Sequence, residues 1–154
     1  MSIRKADQAD FALVQNITTK TIREIYPHYY AKGAVEYFLE HHTAENISHD
    51  IHGNCVFLCL NHDLNAVGTI TVKNNEICRL FVLSQYQGMG YGRELLEFAE
   101  KIIFEKYDHI TLDASLPAKI IYQKRGYSII ESNTIKVNYD DFLCYDIMTK
   151  KQSD

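Results

Sequence analysis

The segment Gln87-Gly88-Met89-Gly90-Tyr91-Gly92 is rich in glycine and lies between an apolar stretch and an amphipathic one. The first N–H groups of a helix have no partners within the helix, and the helix dipole makes that end positive. Glycine also lacks the Cβ atom that would keep the oxygen atoms of an anion away from the backbone. The segment is therefore predicted to bind a phosphate group, and the alternative is a glycine turn without a ligand.

Two other phosphate-binding motifs fit this turn less well. A Walker loop requires a Gly-Lys pair, and the sequence contains none. A dinucleotide-binding fingerprint requires G-x-G-x-x-G, and counting from Gly88 places Arg93 at the third glycine. Asp113 does stand about 20 residues after Gly92, where that fingerprint places its ribose-binding acid. A nucleotide-binding domain therefore remains an alternative.

Hydrophobic periodicity predicts the elements that hold this turn in place. Helices are predicted over residues 11–25, 34–42, 43–51, 92–107 and 117–125, with Thr43 as the cap of the third. Strands are predicted over residues 3–6, 55–60, 66–72, 76–82, 109–113, 127–131 and 142–149. The second to fourth strands form an antiparallel meander. The fourth and fifth are joined through a helix and should be parallel neighbours.

Length and composition agree with one compact domain. The chain has 154 residues, of which 46% are hydrophobic, and this is enough for an ordinary core. We expect an α/β domain over residues 1–150, with a mixed central sheet flanked by helices. Residues 151–154 are expected to form a C-terminal tail.

The charge balance restricts the classes of partner. Sixteen Lys and Arg against 20 Asp and Glu give a net charge of −4, which provides no basic field for nucleic acid or an anionic membrane. The N-terminus MSIRKADQAD lacks the apolar region of a signal peptide, and no apolar run approaches the ~20 residues that span a bilayer. We expect a soluble, cytoplasmic protein that binds neither nucleic acid nor a membrane.

Cysteine and histidine lack the spacing of a redox or metal site. The four cysteines stand apart in apolar stretches without a C-x-x-C pair, which favours buried, reduced thiols. They are Cys55, Cys59, Cys78 and Cys144. A group of histidines is close in sequence, at His41, His42, His49 and His52, but no acidic or thiolate partner follows at metal-site spacing. We therefore predict no metal and expect these histidines to be exposed on helices.

Two separately spaced motifs match a known family. Gln87-x-x-Gly90-x-Gly92 resembles the Q/R-x-x-G-x-G/A pyrophosphate motif of the GNAT superfamily of acetyl-CoA-dependent N-acetyltransferases. Arg79-Leu80-Phe81-Val82 is similar to the fourth strand of that family, and residues 118–127 resemble its A-x-x-F/I-Y-x-x-x-G-F/Y segment. The order of elements from Ile3 to Thr149 also fits. The resemblance implies a single-domain GNAT-like fold with a mixed sheet of about seven strands.

The resemblance also implies a cosubstrate, acetyl-CoA, and the residues that bind it. Backbone groups of one segment would bind the pyrophosphate, namely Gln87, Gly88, Met89, Gly90, Tyr91, Gly92 and Arg93. The backbone of Phe81 and Val82 would bind pantetheine in the gap between the splayed fourth and fifth strands. Ser115 stands where an asparagine often contacts the cofactor, and its shorter side chain has fewer donors.

The implied reaction is direct attack of a primary amine on the thioester in a ternary complex. The acceptor amine belongs to a small molecule, a protein lysine or a protein N-terminus. Tyr122 matches the tyrosine of the family that protonates the departing thiolate, and its alternative role is core packing beside Ile120 and Ile121. Glu76 has the spacing of a glutamate that acts as a base in histone-acetylating relatives, a role for which it is expected to be partly buried beside Ile77 and Leu80. Its alternative role is that of a solvated turn residue.

Several alternatives stay open at the acceptor side. A group of tyrosines and neighbouring polar residues could line the acceptor site or form the edge of the core. The group consists of Tyr26, His28, Tyr29, Tyr30, Tyr139, Asp140 and Asp141. A non-catalytic acetyl-CoA-binding module is the alternative to an enzyme. The oligomeric state is also open, with a homodimer as one alternative.

Overall fold

The computed structural model of the chain describes residues 1–152. Its helices are α1 (Phe11–Ile25), α2 (Lys32–His41), α3 (Ala44–His52), α4 (Tyr91–Phe104) and α5 (Leu116–Lys124). Its strands are β1 (Ser2–Lys5), β2 (Val56–Leu60), β3 (Ala66–Lys73), β4 (Glu76–Val82), β5 (His109–Ala114), β6 (Ser128–Lys136) and β7 (Phe142–Lys151). Within this described range, no helix has the length and hydropathy needed to cross a membrane.

The strands form one seven-stranded mixed sheet in the order β1-β2-β3-β4-β5-β7-β6. Only β4 and β5 pair in parallel among the described strands, and the other neighbours are antiparallel. The prediction of an α/β fold with a mixed sheet flanked by helices is therefore confirmed. The thiols of the cysteines are free.

The C-terminal end of the sheet differs from the sequence prediction. β6 extends to Lys136 rather than to residue 131, because it pairs with β7 along nearly its whole length. β7 continues to Lys151, which pairs with His109 of β5. The boundary expected after residue 150 therefore falls inside a strand. Ser153 and Asp154, also assigned to the tail, lie outside the described residues.

Alternating side chains of the sheet supply two cores on opposite faces. In β2, Val56 and Leu58 pack with α1 and α3, whereas Cys59 packs with α4. The apolar stripe of α4 is buried through Leu95 and Leu96, neither of which is exposed to solvent. This alternation is the period of two expected for a strand, and the stripe is the one expected for an amphipathic helix. The helices on the two faces hold the sheet in place, and the loops after β4 and β5 lie at the same edge of the sheet.

The parallel pair at the centre of the sheet is short. β4 and β5 pair only at Glu76 with Thr111 and at Ile77 with Leu112. Beyond these two pairs the strands separate, so the rest of β4 has no strand neighbour on that side. The separation leaves backbone polar groups open along β4, and such groups must find other partners.

The connection between β6 and β7 packs directly on α2. The N–H of Gly33 donates to Oδ2 of Asp141 at 2.9 Å, and the hydroxyl of Tyr139 donates to Oε1 of Glu36 at 3.1 Å. A Cβ atom on Gly33 would lie 2.1 Å from the carbonyl oxygen of Asn138. Glycine at this position is therefore required by the close approach of the two backbones.

Substitution of Gly33 by Ala tests this packing. We expect the free energy of unfolding to fall by about 1–3 kcal/mol, because the connection must move away from α2 to admit the methyl group. Gly53→Ala is the matched control, since its nearest atom would be 3.4 Å away and its φ is −71°. Urea denaturation of both variants measures the difference. Equal stability of G33A and G53A would contradict the close packing.

Candidate active site

Backbone N–H groups without protein acceptors line the turn before α4. The first hydrogen bond of the helix runs from Glu94 N–H to the carbonyl oxygen of Gly90, at 3.1 Å. Gly90 is the N-cap and supplies no side chain. Within residues 1–152, nothing accepts a hydrogen bond from the N–H groups of residues 88–93. Donors of this kind at the positive end of a helix can bind an anion.

The glycines of the turn keep this site open. Gly88 and Gly90 have φ values of 77° and 94°, a region that favours glycine. A Cβ atom at either position would meet no described atom within 4 Å, so the space in front of the backbone is free. Gln87 ties the turn to the sheet, since its Nε2 donates to the carbonyl oxygen of Val82 at 2.9 Å.

The open edge of β4 continues from this turn toward the centre of the sheet. The N–H of Leu83 donates to the carbonyl oxygen of Val67 in β3 at 3.0 Å, so the backbone of Leu83 faces β3. Because backbone groups alternate in an antiparallel ladder, Phe81 also faces β3, whereas Leu80 and Val82 face the gap. The backbone of Phe81, which was predicted to bind pantetheine, thus faces β3, and the open groups beside those of Val82 belong to Leu80. This direction could have been predicted from the sequence by counting alternate residues of β4 back from the glycine turn.

A β-bulge at Cys78 changes which side chains of β4 share a face. Arg79 pairs with Thr71 and Ile77 pairs with Val72, so Cys78 has no opposite residue. Glu76 lies beyond the bulge and lines the cavity described below. Glu76 is exposed, whereas its proposed role as a base assumed a half-buried side chain.

A cavity of about 450 Å³ opens where β4 and β5 separate. Its lining includes Glu76, Leu80, Ser115 and Tyr122, so the structure brings these residues together. Aromatic side chains supply much of the remaining wall, namely Tyr26, Tyr37, Phe38, Phe81 and Tyr145. The glycine turn does not line this cavity and lies beyond the other end of β4. The site thus has an anion-binding end and an enclosed end, connected by one strand edge.

Tyr122 lies on α5 with a buried ring that faces this cavity. The ring is 6% exposed and contacts Tyr127 edge-on, with 5.5 Å between the ring centroids. Burial, followed by the proximity of Tyr26, raises the pKa of Tyr122. The phenol therefore keeps its proton at neutral pH, which is the state required of a proton donor.

Tyr26 and Tyr30 are buried at the edge of the core, where Tyr26 also lines the cavity and Tyr30 positions α5. The hydroxyl of Tyr30 accepts a hydrogen bond from the N–H of Leu116 at 2.7 Å, at the first turn of α5. Burial raises the pKa of Tyr30 to about 12. Sequence reasoning left this capping role unassigned because the two residues are far apart in the chain. The other tyrosines of this group, Tyr29 and Tyr139, are exposed.

A family comparison decides the identity of this arrangement. Residues 25–144 match the sequence model of the family described as "Acetyltransferase (GNAT) domain". This range contains the glycine turn, β4, β5 and α5. The chain belongs to the GNAT acetyltransferase family. It is accordingly an acyltransferase, and its acetyl donor is acetyl-CoA.

Solved structures share the fold of this GNAT domain. A GCN5-related N-acetyltransferase from Rhodopseudomonas palustris has a TM-score of 0.88 and 23% identity, with 98% of this chain and 95% of that chain covered. The PaiA N-acetyltransferase from Thermoplasma acidophilum, in complex with coenzyme A, has a TM-score of 0.74 and 22% identity, with 98% of both chains covered.

YncA, a putative acetyltransferase from Salmonella typhimurium solved with acetyl-CoA, has a TM-score of 0.76 and 15% identity. The alignment covers 100% of this chain and 95% of that chain. At these identities the likeness shows the fold alone. A comparison with curated protein sequences gives no significant match.

This GNAT domain also contains a buried ionic cluster beside the cavity. Arg79 forms an ion pair with Asp50, whose other oxygen lies 2.6 Å from Nζ of Lys73. Nε of Arg79 donates to Nδ1 of His42 at 3.2 Å. His42 is therefore buried rather than exposed as predicted, while His49 is exposed. Within the described residues, no group of three or more His, Cys, Asp or Glu side chains is arranged to hold a metal.

The burial of His42 predicts a loss of stability in acid. Burial, followed by the charge of Arg79, lowers the pKa of His42 from 6.5 to about 3. The unfolded chain binds a proton below pH 6.5 and the folded chain does not, so stability is lost as the pH falls from 6.5 toward 3. We expect a contribution of about 2 kcal/mol to this loss by pH 5.

His42→Asn keeps an acceptor for Arg79 and removes this titration. Denaturant unfolding from pH 7 to pH 5 should therefore show a smaller loss in H42N than in the natural chain. His28→Asn, at an exposed histidine, is the control and should leave the pH dependence unchanged. Parallel pH profiles of H42N and the natural chain would show that His42 is not buried in its neutral form.

Proposed function

We propose that this chain transfers the acetyl group of acetyl-CoA to a primary amine by direct attack in a ternary complex. One observation carries the proposal: unpartnered N–H groups and a proton-bearing tyrosine lie at the two ends of the same open strand edge. An extended thioester carrier with a phosphorylated end fits such a path. The structures of PaiA with coenzyme A and YncA with acetyl-CoA support this assignment.

The carrier would bind through the backbone for most of its length. Residues 88–93 offer their N–H groups to the pyrophosphate, and Gln87 holds the turn against β4. Leu80 offers backbone groups on the open edge to the pantetheine amides, as a neighbouring strand would. Val82 offers its N–H, since its carbonyl oxygen accepts from Gln87. Ser115 lies at the start of α5 on the opposite wall of the gap. Backbone recognition of this kind tolerates changes of side chain.

The reaction forms one bond and breaks one bond. The acceptor nitrogen attacks the thioester carbonyl carbon, the C–N bond forms, and the C–S bond breaks to release the coenzyme A thiolate. Tyr122 gives its proton to the sulfur as it leaves, and the second proton of the acceptor nitrogen returns to the Tyr122 oxygen, directly or through water. Glu76 takes the proton of the acceptor ammonium, directly or through water, before the attack. Holding both substrates in one site supplies much of the rate by proximity and orientation.

Tyr122→Phe tests the role of the phenol. We expect kcat to fall by roughly a hundredfold, because general acid catalysis is lost, while the affinity for acetyl-CoA stays nearly constant. The assay is release of the coenzyme A thiol across a panel of primary amines. Tyr127→Phe is the matched control, since Tyr127 is equally buried and does not line the cavity.

Unchanged turnover in Y122F would remove Tyr122 from the mechanism. If the natural chain bound acetyl-CoA but acetylated no amine of the panel, a non-catalytic binding module would replace the proposed enzyme.

Gly90→Ala tests the anion site. The new methyl group would occupy the free space in front of the N–H groups, so we expect coenzyme A to bind at least about tenfold more weakly. Gly126→Ala is the control for backbone strain, because Gly126 has a φ of 88° and equally open surroundings. Isothermal titration of both variants separates the two effects. Equal affinities in G90A and G126A would place the pyrophosphate elsewhere.

A further inference from the structure

α2 packs on the connection between β6 and β7, next to the part of the cavity that α2 lines with Tyr37 and Phe38. Gly33 bonds to Asp141, and Tyr139 bonds to Glu36, so hydrogen bonds join these two elements. Lys32 adds a contact, with its Nζ 4.5 Å from the centroid of the Tyr139 ring. An extended polypeptide needs an open groove to pass through the site. The packing of α2 therefore favours a small acceptor over a protein.

One side of the acceptor space is aromatic, whereas the ionic cluster of Asp50, Lys73 and Arg79 lines another side. Tyr26 and Phe38 meet edge-on with centroids 4.7 Å apart, and Phe81 lies 6.3 Å from Tyr26. Tyr37 of α2 and Tyr145 of β7 complete the lining on the α2 side. Flat apolar walls of this type bind flat apolar groups through burial and edge-to-face contact.

Within residues 1–152, two carboxyl groups of the cavity have no partner, Glu76 and Asp113, and Glu76 is already assigned as the base. Asp113 is the first residue of β5 beyond the last pair with β4, at the point where the gap opens. In the described part of the chain Asp113 makes no hydrogen bond or ion pair. Its side chain is exposed, and partial burial of the carboxyl still raises its pKa, an effect that the nearby His41 reduces. By contrast, both oxygens of Asp50 are occupied by Arg79 and Lys73. Asp113 is thus free to bind a cation.

We infer that Asp113 binds the amino group of a small acceptor whose body is aromatic, an arylalkylamine. The inference rests on the proposed function and names its acceptor class. The carboxylate accepts hydrogen bonds from the ammonium group and fixes the nitrogen near the vertex of the gap, where the thioester arrives. The aromatic walls bind the ring of the acceptor. Asp113 orients the nitrogen, and Glu76 accepts the proton of the ammonium group.

Binding to the coenzyme A-saturated protein tests this inference without turnover. The probes are 2-phenylethylamine and 2-phenylethanol, which share the ring and differ in charge. We expect the natural chain to prefer the amine. Asp113→Asn should weaken amine binding roughly tenfold to a hundredfold, as for loss of a charge-assisted hydrogen bond, and leave the alcohol unchanged. Asp63→Asn, at an exposed turn residue, is the control and should change neither affinity.

Three results would overturn the inference. They are equal binding of amine and alcohol to the natural chain, equal weakening of both probes in D113N, and tighter binding of a lysine-containing peptide than of the amine. Asp113→Glu keeps the charge and should restore part of the preference, which separates ammonium recognition from a structural effect. Amine binding that depends on Asp113 without any acetyl transfer would reject the proposed function alone. Transfer that is insensitive to D113N would reject the role of Asp113 alone.

Discussion

The early separation of β4 from β5 is the constraint on which the rest of the site depends. Two parallel pairs fix the vertex, and beyond them the backbone of Leu80 and Val82 has no strand beside it. A ligand can then complete the ladder where the protein does not, because unpaired backbone groups need partners. The same separation makes the cavity and brings side chains of β4, β5 and α5 to its walls. A fully paired sheet would have neither feature.

Recognition of the anionic end follows from local groups rather than from net charge. The chain carries a charge of −4, so the field of the whole protein does not attract a phosphorylated ligand. Donors at the start of α4 replace that field over a few ångströms, and the glycines allow the oxygen atoms to reach them. Farther inside, the charge of Arg79 is balanced by Asp50 and does not serve as a second anion site. The glycine turn thereby supplies the donors for an anion, and the cavity combines aromatic walls with paired charges.

Much of the fold was predictable from the sequence because its signals are local. The stripe on α4, the turn formers between β2, β3 and β4, and the glycine turn each depend on neighbouring residues. The length of β6 was underestimated because its exposed side chains give little periodicity, and its pairing with β7 is decided by tertiary contact. His42 was expected on the surface, since its partner Arg79 is distant in sequence. The face of β4 on which Glu76 lies is set by the bulge at Cys78, and the residue types at this point do not predict a bulge.

The proposed mode of binding requires that the N–H groups of residues 88–93 bind a pyrophosphate while the edge of β4 binds the arm that follows it. Amide NMR spectra recorded during titration with coenzyme A, and separately with pantetheine, distinguish these two contacts. We expect the amide signals of Gly88, Gly90 and Gly92 to shift with coenzyme A and not with pantetheine, whereas those of Leu80 and Val82 shift with both. Saturation with coenzyme A that left the three glycine signals unmoved would contradict it.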